Sequence, residues 1–529
     1  MSRVRRVARV LLLTILVAAA TFFAVRIYDI RQMSPLQLWH THVPAELDVE
    51  AMDAGDWAAY LAAEDQIFQT VRTEVTDKLP ADARTSFNRY YDGSVVYPAH
   101  YARDWNRSYV LEPDGPTVGA VVLLHGLTDS PYSLRHVARR YAAAGFVAVA
   151  IRLPGHGTVP AGLSRGGWED WMAATRLAVR EARRRTAPSA PLHLVGFSNG
   201  GALAVKFALD ALENPQLARP DRLILVSPMI GITRFARLAG VAGWPAVLPG
   251  FARAAWLSIV PEFNPFKYNS FPVNGGRQSY RLTRVLQDQI ARMADANTLN
   301  GLAPILTFQS VLDFTVSTRA IVSSLYAYLP VNGSELVLFD VNRSVAFGQL
   351  LRRSSEAALA RTLPDPPQAY RITVVGNDVA NPDVSVVRTT GAGEATERVT
   401  PLDIRYPPEI FSMSHVSIPF PLEDPLYGLR PDTSHEDFGV QLGTLAPRGE
   451  RGALVVNMDF ISRVSSNPFF PFILERIEQG IRDPQPRVVP TPSGASFKKD
   501  PHRPTDAEIE EYLADIAVET AGSAGLVVP

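Results

Sequence analysis

Ser198 stands between two glycines in the stretch Leu192-His193-Leu194-Val195-Gly196-Phe197-Ser198-Asn199-Gly200-Gly201. A serine hydroxyl is a poor nucleophile near neutral pH. It becomes useful for acyl transfer when a base takes its proton and preorganised N–H groups receive the developing oxyanion. The apolar run 192–195 predicts a buried strand, and residues from about 199 to 212 predict a helix, so the serine falls in a sharp strand-to-helix turn. Such a turn strains its central residue and brings two chain segments together, which leaves no room for side chains at 196 and 200. The helix N-terminus beneath the hydroxyl favours developing negative charge.

A base and an acid have to follow. Histidine suits the base, and a carboxylate fixes its tautomer and stabilises the imidazolium. For a nucleophile in this kind of turn the acid comes next along the chain and the histidine last. Asp313 follows a strand predicted over 304–309, at the same sheet edge as Ser198. A turn or N-cap aspartate is the plainer reading of it, and Asp340, after the strand predicted over 335–339, is the rival acid. Downstream of Asp313 stand His415, His435 and His502. His415 lies in a short apolar segment, His435 in a polar loop and His502 beyond a proline-rich stretch. His415 is therefore the expected base and His435 the alternative. The oxyanion donors are expected to be the backbone N–H groups of Asn199 and of Leu127, the latter in the loop after the strand at 118–124. His125 and His156 precede the serine and read as loop-structuring residues.

These residues need a scaffold. The 529 residues are 47% hydrophobic and 20% charged, which is globular and enough for one large elaborated domain or two smaller ones. A net charge of −1 gives no general reason to expect a nucleic-acid partner. The absence of cysteine excludes disulfides, zinc–thiolate sites and thiol catalysis. Apolar runs at 118–124, 146–152, 192–195 and 222–226 alternate with helical patterns, which predicts an α/β, doubly wound, mostly parallel sheet.

Around that core, Arg3, Arg5, Arg6 and Arg9 precede an uncharged run over 10–25 that Arg26 closes. Residues 1–30 thus predict a membrane anchor with the catalytic domain exported, flanking arginines lengthening the short span. Cleavage after Ala18-Ala19-Ala20, giving a secreted protein, is the alternative. Residues 31–90 predict a helical preface, with Trp57, Tyr60, Leu61, Ile67, Phe68 and Val71 packed on the main body. Residues 94–111 predict early strands. The aromatic-rich stretch 229–300, broken by prolines, predicts a helical cap over the sheet edge where ligands bind, with extra core as the other reading. Residues 341–410 predict a second, irregular insertion with strand-like pieces at 372–375 and 384–387. A strand over 454–458 and a helix over 471–481 follow. Residues 483–529 predict a proline-rich tail ending in a short acidic helix.

The motifs Leu123-Leu124-His125-Gly126-Leu127-Thr128-Asp129-Ser130-Pro131, Leu153-Pro154-Gly155-His156-Gly157, Gly196-Phe197-Ser198-Asn199-Gly200-Gly201, Ser227-Pro228, Gln309-Ser310 with Asp313, and Ser414-His415-Val416 are jointly specific. Over residues 94–340 and a short piece around His415 the chain resembles the α/β-hydrolase superfamily, in its monoacylglycerol-lipase and carboxylesterase branch. The resemblance implies a hydrolase domain over 91–482. It also implies serine-dependent ester hydrolysis through an acyl-enzyme, with neither cofactor nor metal, on an acyl ester or lipid of the monoacylglycerol or lysolipid kind. Family roles fall on Ser198, Asp313, His415, Leu127 and Asn199. An amidase, peptidase or acyltransferase using the same triad is the nearest alternative, and a non-catalytic envelope protein with this fold is the further one. The chain departs from the family pattern in the length of its acid-to-histidine segment. Acyl length, head group and oligomeric state are not encoded in these motifs.

Overall fold

A ten-stranded sheet organises the computed structural model, which describes residues 30–231, 249–313, 315–344, 358–407, 410, 412–444 and 466–482, with scattered positions between 6 and 28. Its strands are β1 (Tyr109–Leu111), β2 (Gly119–Leu124), β3 (Phe146–Ile151), β4 (Leu192–Phe197) and β5 (Arg222–Val226). A separate short pair, β6 (Trp256–Ser258) and β7 (Phe271–Pro272), interrupts the series. The sheet resumes with β8 (Ile305–Ser310), β9 (Glu335–Phe339), β10 (Arg371–Asn377), β11 (Ser385–Thr390) and β12 (Glu397–Leu402). The longer helices are α1 (Trp57–Val71), α2 (Arg135–Ala143), α3 (Trp168–Arg184), α4 (Asn199–Glu213), α5 (Val273–Asp295), α6 (Thr318–Ser324) and α7 (Phe470–Arg482).

The strand order is β1-β3-β2-β4-β5-β8-β9-β10-β11-β12. All neighbours from β3 to β10 pair in parallel, and β1, β11 and β12 are antiparallel additions at the two edges. Every residue of β2, β3, β4, β8 and β9 is buried, which is why these strands read as continuous apolar runs. Alternate residues serve opposite faces. Val122, Leu124, Val149, Leu194 and Leu225 join the core under α3, α4 and α5, and Val121, Leu123, Ala150, Val195 and Ile224 join the core under α2 and α7. The chain passes from β2 outward to β3, then returns to β4 on the other side of β2. That reversal opens a crevice at the carboxyl ends of β2 and β4, the usual ligand position in an open parallel sheet.

Three segments differ from the sequence expectation. Residues 371–402 extend the main sheet, because β10 pairs in parallel with β9 and β11 and β12 fold back in register, so this part of the second insertion is regular. Within the expected cap, α5 runs unbroken for 23 residues. Its prolines all precede it, and Leu282, Leu286, Ile290 and Met293 belong to the main core, so α5 is body and not lid. The early strands reduce to β1, since 98–100 is a single 3₁₀ turn. The strand expected at 454–458 and the tail 483–529 lie outside the described residues. Residues 1–30 lie largely outside them, and among the described residues no helix is long and apolar enough to cross a membrane.

The preface packs on the body through Trp57, Tyr60 and Ile67 on α1, whose N-terminus is capped by the Asp56 carboxylate accepting from the Ala59 N–H at 2.8 Å. It also carries charge inward. The buried Arg152 guanidinium, at the end of β3, donates from both Nη atoms to Glu46 (2.8 and 2.9 Å) and from Nε to Glu64 on α1 (3.1 Å). A buried arginine needs such pairing. Burial nevertheless raises the Glu64 carboxyl above its ordinary range, against the pull of Arg152 and Ser108.

Candidate active site

Ser198 sits between β4 and α4 with φ 53° and ψ −113°, a left-handed conformation costly for a residue with a Cβ. Its N–H donates to Val226 O, and its own carbonyl accepts from Met229, both at 2.9 Å, so the strained turn is held by the start of the next crossover. A Cβ at Gly196 would lie 2.3 Å from Gly200 O, and one at Gly200 would lie 1.9 Å from Leu124 O. The two glycines are thus required by the backbone, as the sequence predicts.

Asp313 follows β8, and its carboxylate is fully buried. Oδ1 accepts from the N–H groups of Thr315 (2.8 Å) and Val316 (3.0 Å); Oδ2 accepts from Gln309 Nε2 (3.1 Å) and from His415 Nδ1 (2.8 Å). Burial alone would raise this carboxyl, but the His415 imidazole and the hydrogen bonds from His415, Val316 and Thr315 hold it below its ordinary value. An ionised acceptor at Nδ1 places the ring proton there and leaves Nε2 with its lone pair, the state a base requires. The imidazole stacks on Phe197, the residue before the serine, with ring centroids 5.4 Å apart.

His415 returns to Asp313 across 102 residues of sequence and sits in a turn rather than on a regular element. Buried polar anchors replace one. The Asp424 carboxylate is ion-paired with Arg135 Nη2 (2.9 Å) and accepts from His136 Nε2 (2.9 Å), Tyr132 OH (3.0 Å) and the N–H groups of Leu426 (3.0 Å) and Tyr427 (2.8 Å). Burial opposes its ionisation, yet Arg135 and His136 drive the Asp424 carboxyl far below the usual range. Met413, Ile418 and Phe420 are buried in the α2–α7 core, and Asn467, just before α7, bonds the carbonyls of Ile418 and Phe420 at 3.1 and 2.8 Å.

The rival residues stand elsewhere. His435 is exposed. Asp340 faces Arg343 (3.4 Å) and Arg388 (3.8 Å). His502 lies outside the described residues. His125 Nε2 accepts from the Leu153 N–H at 3.0 Å, so its Nδ1 donates to Gly126 O at 2.9 Å. It ties the turn after β2 to the loop after β3. His156 Nδ1 donates to Pro154 O at 3.1 Å. Burial pushes both imidazoles down to about 3, so they stay neutral.

The expected oxyanion donors flank the serine. Asn199 opens α4, so its N–H has no intrahelical acceptor. Leu127 lies in the turn after β2, which abuts the elbow: a Cβ on Gly126 would meet Ser198 Cβ at 3.3 Å. Among the described residues no group of three or more His, Asp or Glu side chains is placed to hold a metal ion. Sequence reasoning overlooked Gln309 as a partner of Asp313, Asp424 with Arg135, and the preface carboxylates. Gln309 alone lay inside a recognised motif.

The mostly parallel sheet, its crossover helices and a serine turn at the switch point define an α/β-hydrolase fold. Residues 115–341 match the family described as serine aminopeptidase, S33. A thermostable monoacylglycerol lipase of Bacillus sp. (strain H-257) is 34% identical over 95 residues, which span 18% of this chain and 36% of the lipase. Among solved structures, a monoacylglycerol lipase of Paleococcus ferrophilus is 18% identical with a TM-score of 0.33, covering 48% of this chain and 99% of its own. A soluble variant of the monoglyceride lipase of Saccharomyces cerevisiae, in complex with a substrate analog, is 13% identical with a TM-score of 0.33, covering 42% of this chain and 78% of its own.

Gln309 supplies one of the four hydrogen bonds to Asp313, and among the described residues its own Oε1 has no partner. Replacing it by leucine removes a hydrogen bond to a charged group, worth about 1.5–3 kcal/mol, while also deleting an unsatisfied acceptor. Gln309→Leu is expected to lower kcat by about tenfold or more with KM nearly unchanged and the melting temperature little altered. Steady-state ester kinetics alongside a thermal melt check both.

Proposed function

We propose that this protein is a serine hydrolase that cleaves carboxylic esters of acyl lipids through an acyl-enzyme. The observation that carries the reading is the buried Asp313–His415 pair stacked against the residue that precedes Ser198 in its strained turn. In this reading His415 Nε2 takes the Ser198 proton as Oγ attacks the ester carbonyl. The carbonyl oxygen becomes an oxyanion facing the N–H groups of Leu127 and Asn199. Collapse breaks the ester C–O bond, and the His415 proton leaves with the alcohol. Water, deprotonated by the same imidazole, then attacks the acyl-serine and frees the acid. Asp313 stays ionised throughout and offsets the imidazolium charge.

The monoacylglycerol lipase similarity supports a lipid ester, of the monoacylglycerol or lysolipid kind, as substrate. The description of the matched family favours a second reading, an aminopeptidase using the same triad. Full-length protein in detergent, offered monoacylglycerols, lysophospholipids, short p-nitrophenyl esters and aminoacyl anilides, separates the two. Ester turnover lost in Ser198→Ala supports the first reading. Anilide cleavage without ester turnover supports the second, and unchanged ester turnover in Ser198→Ala sinks both. We also propose that residues 1–30 tether the catalytic body to a membrane on its extracytoplasmic side, a reading supported by the arginines before the uncharged run. Fractionation of the full chain against a chain lacking residues 1–30 tests it; equal solubility of the two would overturn it.

A further inference from the structure

We propose that Lys267 is a positioning residue for the oxyanion turn, acting through Asp129. The inference rests on the reading of Leu127 as an oxyanion donor and adds what holds it in place.

The turn after β2 carries an intrinsic strain. Thr128 has φ 60° although it is β-branched, so something must hold it there. Two grips do so, one on each side of Leu127. On the near side the Gly126 N–H donates to Asp129 Oδ2 at 3.3 Å, while Asp129 Oδ1 accepts from the Ser133 hydroxyl at 2.7 Å. On the far side Thr128 O accepts from the Tyr268 N–H at 2.7 Å. The Leu127 peptide is therefore aimed by its two neighbours.

Both grips trace to consecutive residues of one segment. Tyr268 holds Thr128 directly. Lys267 extends its ammonium to 3.6 Å from Asp129 Oδ1, and among the described residues it is the one cation paired with that fully buried carboxylate. The ammonium also lies 5.2 Å from the centre of the Phe197 ring, the ring on which His415 stacks. An unpaired carboxylate at this depth is costly and draws in water, which competes for the Gly126 N–H and loosens the grip on it.

The segment is itself held by a dense set of hydrogen bonds, so it can act as a support. Arg89 Nη1 donates to the carbonyls of Asn264 (3.2 Å) and Lys267 (3.3 Å). Asn264 Oδ1 accepts from the N–H groups of Phe266 (3.1 Å) and Lys267 (3.2 Å). Glu262 accepts from those of Asn269 (3.0 Å) and Ser270 (2.7 Å), and the Tyr268 hydroxyl bonds Gly155 O at 3.0 Å. The insertion after β5 thus reaches across the crevice and fixes the donor turn after β2.

The test uses full-length protein and three variants, Lys267→Met, Lys267→Arg and Asp129→Asn. Three quantities are read: kcat and KM on a short p-nitrophenyl ester, affinity for an alkyl boronic acid, and hydrogen exchange of peptides covering 125–130. A boronic acid forms a tetrahedral serine adduct whose oxygen occupies the oxyanion position, so it reports that site apart from substrate binding. Lys267→Met is expected to lower kcat and boronate affinity together by about tenfold or more, with KM within about twofold, and to speed exchange in 125–130 but not in α4. Lys267→Arg is expected to restore most of each, and Asp129→Asn to match Lys267→Met. Unchanged exchange in Lys267→Met overturns the proposal, as does a loss carried by KM that arginine does not restore. Faster exchange with unchanged kcat and boronate affinity supports the brace but refutes the assignment of this turn as the oxyanion site. That outcome is distinct from a parent protein that turns over no ester at all.

Discussion

His415→Ala is expected to reduce kcat/KM for ester hydrolysis by about 10⁴-fold or more, and Asp313→Asn by a comparable factor. A loss of that size corresponds to about 5.5 kcal/mol of transition-state stabilisation. It follows because His415 is the base that this reading assigns to the serine proton, and because amidation of Asp313 would offer His415 Nδ1 a donor where it now has an acceptor at 2.8 Å. The Ser198→Ala/His415→Ala double variant is expected to be no slower than either single variant, since the residues act as a unit. His435→Ala serves as the internal comparison. That side chain is exposed, and its loss is expected to leave kcat within about twofold. Progress curves on a short p-nitrophenyl ester measure all four.

The second large effect is acid unfolding. Burial pushes His40 and His136 down to about 4, and His125, His156 and His193 down to about 3. A histidine whose folded pKa lies below its unfolded value binds fewer protons in the native state. Its contribution is complete above about pH 6.5 and falls away as the pH drops toward the folded value. At pH 5 each such group costs roughly 2 kcal/mol, so the five together remove on the order of 10 kcal/mol, comparable to the stability of an ordinary domain. Asp424, held ionised by Arg135 and His136, adds to the loss at still lower pH. The raised carboxyls of Glu64 and Glu262 act in the opposite sense and recover a part. Tryptophan fluorescence and circular dichroism are expected to show cooperative unfolding with a midpoint at about pH 4.5–5.5. A native signal retained to pH 4 would contradict the account.

Much of this was readable from the chain because it depends on local pattern. Strands buried on both faces write themselves as apolar runs, and β9 was expected at its observed bounds. The elbow was legible because only glycine satisfies positions 196 and 200. Asp313 was legible because parallel strands deliver their following loops to one edge. What escaped depends on pairings over long separations. Arg152 meets Glu46 across 106 residues, and Tyr132 meets Asp424 across 292. No periodicity records such a pairing, and a lone carboxylate in an irregular segment reads as solvated surface. Of the three added strands, β10 and β11 were partly legible as strand-like pieces at 372–375 and 384–387, and β12 was obscured for another reason. β12 is exposed along nearly its whole length, so no apolar run marks it, and only its register with β11 shows that it belongs to the sheet.

The central claim is that Ser198 is a nucleophile activated by His415. Its most direct test is the reaction of the folded full-length protein with a fluorophosphonate probe, followed by intact mass and peptide mapping, with His415→Ala and His435→Ala beside the parent. A single adduct on Ser198, formed rapidly in the parent and in His435→Ala and abolished in His415→Ala, is the predicted result. An adduct on another residue, or labelling of Ser198 that is indifferent to His415, would contradict it.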